Sequence, residues 1–581
     1  MHDNLEQQMT DDRWCIDTEL NTRFPVYTRF NANDVLPDPI TPLGASMAWI
    51  PHMLPGSSMG YAALGAVTAE ESIDFAAWPF GAFCYGHLYV NVTMARLVGI
   101  RSGIGWAGID AAFFGSHPDA PPHTDSPSDI NEEVSQRIAD RTMWTLTATS
   151  FPDLEEETTL ADSFREQRPD IARLSNAALV ARARSMMPYQ RLTWRGELIA
   201  GSQAAIGPAV VMSLLGDDSP VNVVDIIGPA GDVVSAAPSY ALWDMSRLAR
   251  ADAGATALFD AGVDGVFERL EDTSPELHAR FTAFIREFGY RGPSEWDLGA
   301  DSWETRPELA LSLLDRMRQL DDSMAPAVRR AESAERAERA FETVHASLAG
   351  NGEAQATLRL AVDSARRVAS WRELGKANCI KVLNESRVAM REFGRRLAAN
   401  GHIAHPGQIF IALDEELDLI VLEPSALTEQ LAARETKWKD LGNLVLPLFL
   451  QAGAPMIPLA QLPRKSAASI VIASTGDVLT GTPASSGVAR GRARVILNPG
   501  EIAAFEPGDV LVAPQTDPSW TPLFVVASAV IVGVGALSSH AMIVSRELGI
   551  PCVAGLEGAA DRIPDGALVE VNGSTGEVTL L

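Results

Sequence analysis

One histidine stands in the stretch GVGALSSHAMIVSRELGIPCV, residues 533 to 553, between small residues and the start of an apparent helix. Neither a zinc site nor a Ser/His/Asp triad explains that local pattern, because no partner of the right type adjoins it, although partners in space stay open. A neutral imidazole nitrogen is a competent nucleophile. Ser538 and Ser539 can cap a helix starting at about Ala541. That places His540 at a helix N-terminus, where backbone N–H groups and the helix dipole favour an anion. A phosphoryl group on the ring would be stabilised there. A histidine that merely fills a turn would leave the same local signature.

The elements around it follow from the pattern. Residues 476–581 contain short Val, Ile and Ala rich runs separated by Gly, Pro and Asp, such as GVARGRARVI, GDVLVAP, ASAVIVGVG, PCVAG and ALVEVNG. They read as strands of a compact, β-rich α/β domain, with AMIVSREL as a helix stopped by Gly549 and Pro551. Residues 451–475, rich in Pro, Ala and Gly, read as a linker of about 25 residues, long at roughly 3.3 Å each. Residues 31–450 read as a mainly helical domain behind a polar arm, 1–30. Within it, 47–115 reads as buried helical material. The Ala, Glu and Arg rich runs near 326–350 and 353–401 read as two long helices packed antiparallel. QIFIALDEELDLIV reads as a closing strand or helix. The chain is thus expected to be multidomain.

Composition narrows the function classes. Of 581 residues, 46% are hydrophobic and 21% charged, a globular balance. A formal charge of −28 disfavours nucleic acid and anionic lipid as partners. Four scattered cysteines signal neither a disulfide framework nor a zinc knuckle. His117, His123, Asp119 and Asp125 lie in a Pro, Ser and Asp rich loop whose geometry no regular element fixes, so no metal is expected. With no apolar leader and no run of about 18 apolar residues read along the chain, a cytoplasmic protein is expected.

Three motifs occur in order: GTPASSGVARGRARVI (481–496), VLVAPQTDPSWTPLF (510–524) and GALSSHAMIVSRELGIPCVAG (535–555). Together they resemble the swivelling phosphohistidine domain of the phosphoenolpyruvate-utilising, dikinase-like phosphotransferases. The resemblance implies that His540 is phosphorylated, with Thr516, Asp517, Trp520 and Thr521 in the signature loop and Ser539 before the histidine. Ser486 departs from the family's usual proline. Weaker pieces, VLPDPITPL (35–43), GHLYVNV (86–92), FGYRGPSEWDL (288–298) and GQIFIALDEEL (407–417), resemble the substrate-binding region of rifampin phosphotransferases and phenylphosphate-type synthases. In the former an ATP-grasp domain precedes this region, whereas the matching sequence here begins by residue 35. No Gly-rich P-loop is seen. The resemblance therefore implies one half of a split enzyme similar to phenylphosphate or 4-alkylphenol phosphate synthases. An ATP-grasp-type partner subunit would supply ATP and Mg²⁺, phosphorylate His540, and leave AMP and phosphate.

On that reading a phenolic acceptor sits in the helical domain, and Trp78, Phe80, Phe83, Tyr85 and Tyr89 are candidate wall residues, or plain core. A phenol with a pKa near 10 calls for a base. Glu295 and Asp297 are the candidate acids, beside Arg291 as a substrate contact or simply the partner of a loop carboxylate. At 100° per residue, Arg372, Lys376, Leu383 and Arg387 fall within roughly 60° of one another. That stripe would clamp a phosphoryl group, or equally form a solvated, salt-bridging face. Another hydroxyl acceptor, such as an antibiotic, and a non-catalytic phosphocarrier are the competing readings.

Overall fold

In the computed structural model, residues 13–30, 32–68, 71, 80–114, 117–215, 219, 221–231, 233–465, 471–497, 505–535 and 539–581 are described. Four short strands, β1 (Val26–Thr28), β2 (Gly81–Cys84), β3 (His87–Asn91) and β4 (Phe449–Gln451), form an antiparallel sheet in the order β2-β3-β1-β4. This corrects the helical expectation for part of 47–115. Tyr85 and Gly86 both take left-handed backbone angles (φ 57° and 75°), as a two-residue hairpin turn with the strands' natural twist requires. Every residue of β2 and β3 is buried, so no polar/apolar alternation announced the strands.

The expected linker is also shorter than 451–475. Ala452 N–H donates to Pro25 O, Tyr85 Oη to Ile457 O and Lys465 N–H to Asn443 O, so the chain is pinned to the helical body through residue 465. Val471 and Ile472 are 82% and 62% exposed, and Ala473 N–H already bonds Arg562 O of the C-terminal domain. Only 466–472 lies between those anchors, a reach of roughly 23 Å.

The helical body is organised on one long helix, Gly352–Ala399. Its partner along most of its length is the antiparallel helix Asn176–Gln203: Ser386 Oγ donates to Ala183 O, and Gly375 lies against Glu197. The expected partner, Pro326–Ser347, meets it near the connecting turn, where Phe341 and Val344 share a cluster with Leu358, Ala361 and Val362. The segment Asn176–Leu215 does contain one window apolar enough, by length and composition, to cross a membrane. Gly207 of that segment packs on the backbone of Ala361 and Ala365, which gives the apolar residues a role in core packing. QIFIALDEELDLIV folds as two 3-10 turns, Pro406–Ile411 and Asp414–Glu416, and the helix Leu417–Leu422.

The C-terminal domain is an eight-stranded sheet of β5 (Val478–Thr480), β6 (Thr482–Ser485), β7 (Val488–Val495), β8 (Val510–Ala513), β9 (Ala529–Val532), β10 (Cys552–Ala554), β11 (Leu568–Asn572) and β12 (Glu577–Leu580). Its order is β5-β12-β11-β7-β8-β9-β10-β6, with β7 to β10 mutually parallel. The chain is thus a helix-rich multidomain protein with a C-terminal α/β domain. Helices Thr521–Val526 and His540–Glu547 cover one face. Beyond them, a single apolar cluster runs on into the body helices Ala237–Ala251 and Glu308–Arg318.

Candidate active site

Parallel neighbours β8 and β9 end side by side, with Ala513 opposite Val532, and the loops leaving their carboxyl ends carry the chemistry. Such carboxyl ends are where open parallel sheets place ligands. The first loop holds Thr516 and Asp517 and runs into the helix that opens with Thr521; the second leads to Ser539 and His540. Ser539 occupies the N-cap position of His540–Glu547 with extended angles, but its side chain makes no cap bond. Ser538 lies outside the described residues. His540 is only 4% exposed. Thr521 Oγ1 lies 3.3 Å from its Nε2. Thr516 Oγ1, Ser539 Oγ and His540 Nδ1 are buried with no hydrogen-bond partner among the described residues. Unmade bonds of this kind are costly, and two hydroxyl donors beside a helix N-terminus suit the acceptor oxygens of a phosphoryl group.

The helical body closes the site from the other side. Glu373 of the long helix reaches His540, with Oε2 3.6 Å from Nδ1. Arg372 Nη1 and Lys376 Nζ lie 3.1 and 3.6 Å from the same carboxylate's Oε1. Burial pushes the Glu373 carboxyl up, but Lys376, His540 and Arg372 outweigh it and hold it well below the usual carboxylate range. Burial likewise lowers the His540 pKa, against the pull of Glu373, so the ring is neutral at pH 7. With Glu373 beside Nδ1, the proton belongs on that nitrogen, and Nε2 keeps its lone pair.

Glu295 sits in the loop before Trp296, fully buried, and accepts from Arg291 Nη1 at 2.8 Å. Its second oxygen has no partner among the described residues. Burial, helped by Asp517 and opposed by Arg291, pushes its pKa up to about 7. The preceding residue, Ser294, has φ 53°, an uncommon angle for a residue with a Cβ, and its N–H donates to Asp517 Oδ2 at 3.0 Å. That bond ties the Glu295 loop to the histidine domain. Asp517 is half-buried, and its desolvation raises its pKa; it also accepts from Ser519 N–H.

Other expected residues stand elsewhere or act differently. Asp297 is committed to Thr41, through its N–H and Oγ1, and to Gly299 N–H, which makes it a support for the loop. Arg387 is wholly buried and donates to the carbonyls of Glu295 and Asp297, so the stripe it shares with Lys376 is not a solvated face. Arg387 shapes the Glu295 loop, while Arg372 and Lys376 face Glu373. Arg291 is the ion-pair partner of Glu295, the alternative weighed for it from sequence. Phe83, Tyr85 and Tyr89 are fully buried core, the two hydroxyls donating to Ile457 O and Pro447 O. Trp78 lies outside the described residues. Phe80 touches Trp194 at 6.5 Å between ring centroids.

The aromatic group nearer Glu295 is one the sequence did not announce. Trp194 stands 5.0 Å from both Trp49 and Trp296, edge to face, and Trp296 directly follows Glu295. One turn beyond Trp194, Glu197 faces Gly375; burial raises its pKa while Lys376 and Arg372 lower it. Glu373, Glu197 and Trp194 are the site residues sequence reasoning missed, whereas Thr521 had been placed in the signature loop by the resemblance. Glu373 had a signal available, lying between the two basic members of the stripe. Among the described residues no group of three or more His, Cys, Asp or Glu side chains is arranged to hold a metal.

The two sides of this site correspond to two known domain types. Residues 505–576 match the model of the PEP-utilising enzyme mobile domain, which encloses Thr516, Asp517 and His540; residues 196–373 match the rifampicin phosphotransferase fourth domain, which encloses Glu197, Glu295 and Glu373. The chain is similar to an uncharacterised protein of Mycobacterium tuberculosis, 27% identical over 97% of this chain and 62% of that protein. It is also similar to a rifampicin phosphotransferase of Streptomyces sviceus, 28% identical over 63% of this chain and 42% of that enzyme, and to the uncharacterised phosphotransferase YvkC of Bacillus subtilis, 28% over 58% and 41%. The chain therefore spans less than two thirds of the length of these curated relatives.

Proposed function

We propose that this chain is a phosphotransferase that accepts a phosphoryl group on His540 and passes it to the hydroxyl of a small phenol such as 4-methylphenol. The observation that carries the reading is the contact of His540 with Glu373, which sets the neutral ring against the basic pair Arg372 and Lys376 of the helical body. His540 Nε2 attacks the donor phosphorus, and as the P–N bond forms the P–O bond to the donor breaks, its electron pair leaving on the donor oxygen. With the domain docked, the acceptor oxygen attacks the same phosphorus, the P–N bond breaks as the P–O bond forms, and the electron pair returns to Nε2. Glu295 takes the phenol proton; a carboxylate near pH 7 in its pKa is matched to that task. Arg372 and Lys376 balance charge on the transferring group. Trp49, Trp194 and Trp296 supply an aromatic wall.

In this proposal ATP and Mg²⁺ belong to an ATP-grasp-type partner subunit in the cytoplasm. ATP, water and the phenol together yield the aryl phosphate, AMP and phosphate. The short 466–472 segment keeps residue 473 within roughly 23 Å of residue 465, so the histidine reaches a distant donor site mainly by rotation of its domain, unless the pinned segment before it releases. The test mixes the chain with its candidate partner, Mg²⁺ and β-labelled ATP, and follows acid-labile label on His540 against His540→Ala, with and without 4-methylphenol. Label chased into an aryl phosphate supports both half-reactions. Label that persists on His540 despite the phenol removes that acceptor and leaves other hydroxyl compounds to be tried. No label with an active partner defeats the reading.

A further inference from the structure

A cavity of about 260 Å³ lies where the histidine domain meets the helical body, lined on the domain side by Ser485, Ser486 and Arg546, and on the body side by Asp225, Ser333 and Arg336. Its most unusual wall is Arg546, on the same helix as His540. Arg546 is 8% exposed and lines the cavity, and the charge that attracts it is Glu547, with no hydrogen bond between the two among the described residues. A guanidinium that opens onto a cavity with no hydrogen-bonded partner favours an anion there. Burial, against the attraction of Glu547, brings its pKa down to about 10, so it stays charged at neutral pH.

The nearby acids are partly engaged, and Glu547 keeps one oxygen without a hydrogen-bond partner among the described residues while it attracts Arg546. Glu547 accepts from the N–H of Ala230 and lies 3.7 Å from Arg330. Asp225, the acid within the cavity, accepts from Asn222 N–H at the start of its own short helix. Ser486 Oγ is buried without a partner, and Arg336 is exposed at the mouth. Two guanidiniums and a free hydroxyl against one engaged carboxylate leave the cavity net positive. Its volume is below the roughly 300 Å³ at which drug-sized pockets begin, which favours a compact ligand.

We infer that this cavity is a second anion site, separate from His540, which binds a tetrahedral oxyanion of the phosphate type between Arg546 of the histidine domain and Arg336 of the helical body. An anion held by both sides exists only while they are docked, so its binding shifts the domain toward the docked position. The site does not depend on the identity of the acceptor or on turnover.

Equilibrium dialysis of the full chain against labelled inorganic phosphate tests it, with AMP as a second arm to distinguish a free anion from a phosphate ester. Saturable binding is expected, weakened roughly tenfold or more by Arg336→Gln, whose exposed side chain leaves folding intact, and by Arg546→Gln. Arg372→Gln, beside His540, should leave the component of binding that Arg336→Gln weakens unchanged. Hydrogen exchange should slow together at 223–227 and 540–547 when phosphate is added. Absence of saturation in the low-millimolar range, or binding lost in Arg372→Gln and kept in Arg336→Gln, overturns the site. Protection of neither segment overturns its bridging role.

Discussion

Glu373 is the side chain on which the two halves of the proposed reaction separate. It touches His540 only in the docked arrangement, so Glu373→Gln should leave phosphorylation of His540 by the donor intact. Transfer to the acceptor should slow by about 10²-fold, a typical charge-stabilisation effect read by single-turnover chase of the label. Glu295 makes a different prediction. Its basic form is the deprotonated one and burial has moved its pKa up to about 7, so the chase rate should rise as pH increases through 7. Glu295→Gln should abolish that rise and lower the rate by about 10²- to 10⁴-fold. A pH-independent wild-type rate would remove Glu295 as the base.

Packing of one helix on another decides whether these residues meet at all. Gly207 sits where a Cβ would lie 2.7 Å from both Ala361 O and Ala365 N, backbone atoms of the long helix that cannot rotate away. Gly207→Ala gains up to about 1 kcal/mol of helix propensity but forces the helices apart, and overpacking of this kind costs about 1–3 kcal/mol. A net fall in melting temperature is expected, together with weaker transfer, because the displaced helix carries Arg372, Glu373 and Lys376. An unchanged melting temperature would mean that the approach is not tight. The buried Glu157 acts at the same scale. Its oxygens have no hydrogen-bond partner among the described residues, and one of them stands 2.0 Å from where a Cβ on Gly196 would be.

Over the whole molecule, three buried carboxyls act on stability with one sign. Burial raises Glu157 to about 8, and Glu295 and Glu547 to about 7, from an ordinary value of 4.5. The folded state therefore holds more protons than the unfolded one above pH 4.5, and stability falls as pH rises toward the folded values. The half-buried His52 and the buried His87 and His540 are lowered instead and oppose this trend below their ordinary 6.5. The opposing effect of the histidines fades as pH rises above 6.5, so the melting temperature should decline toward pH 8. Glu157→Gln should flatten the decline by removing the largest contributor; a flat wild-type profile would contradict the argument. The same scale governs docking, since the apolar cluster shared by the histidine domain and the body must be parted or moved whenever His540 leaves Glu373.

The helix behind the histidine and the short strands were legible in the chain because their signals are local, a helix stopped by Gly549 and strands ended by Gly and Pro, whereas the signature loop was legible only through its resemblance to a family. The basic stripe was legible too, since helical periodicity puts Arg372 and Lys376 on one face whatever surrounds them. Whether that face was solvated or buried was not, because burial depends on which helix lies across it. The hairpin at 81–91 escaped notice for a related reason: buried on both faces, it has no alternating pattern. The meeting of His540 with Glu373, the tie from Ser294 to Asp517 and the cavity at Arg546 join residues far apart in sequence. Only tertiary packing decided those contacts, because each arises from the way a sheet edge and a helix face are brought together, which no local preference encodes.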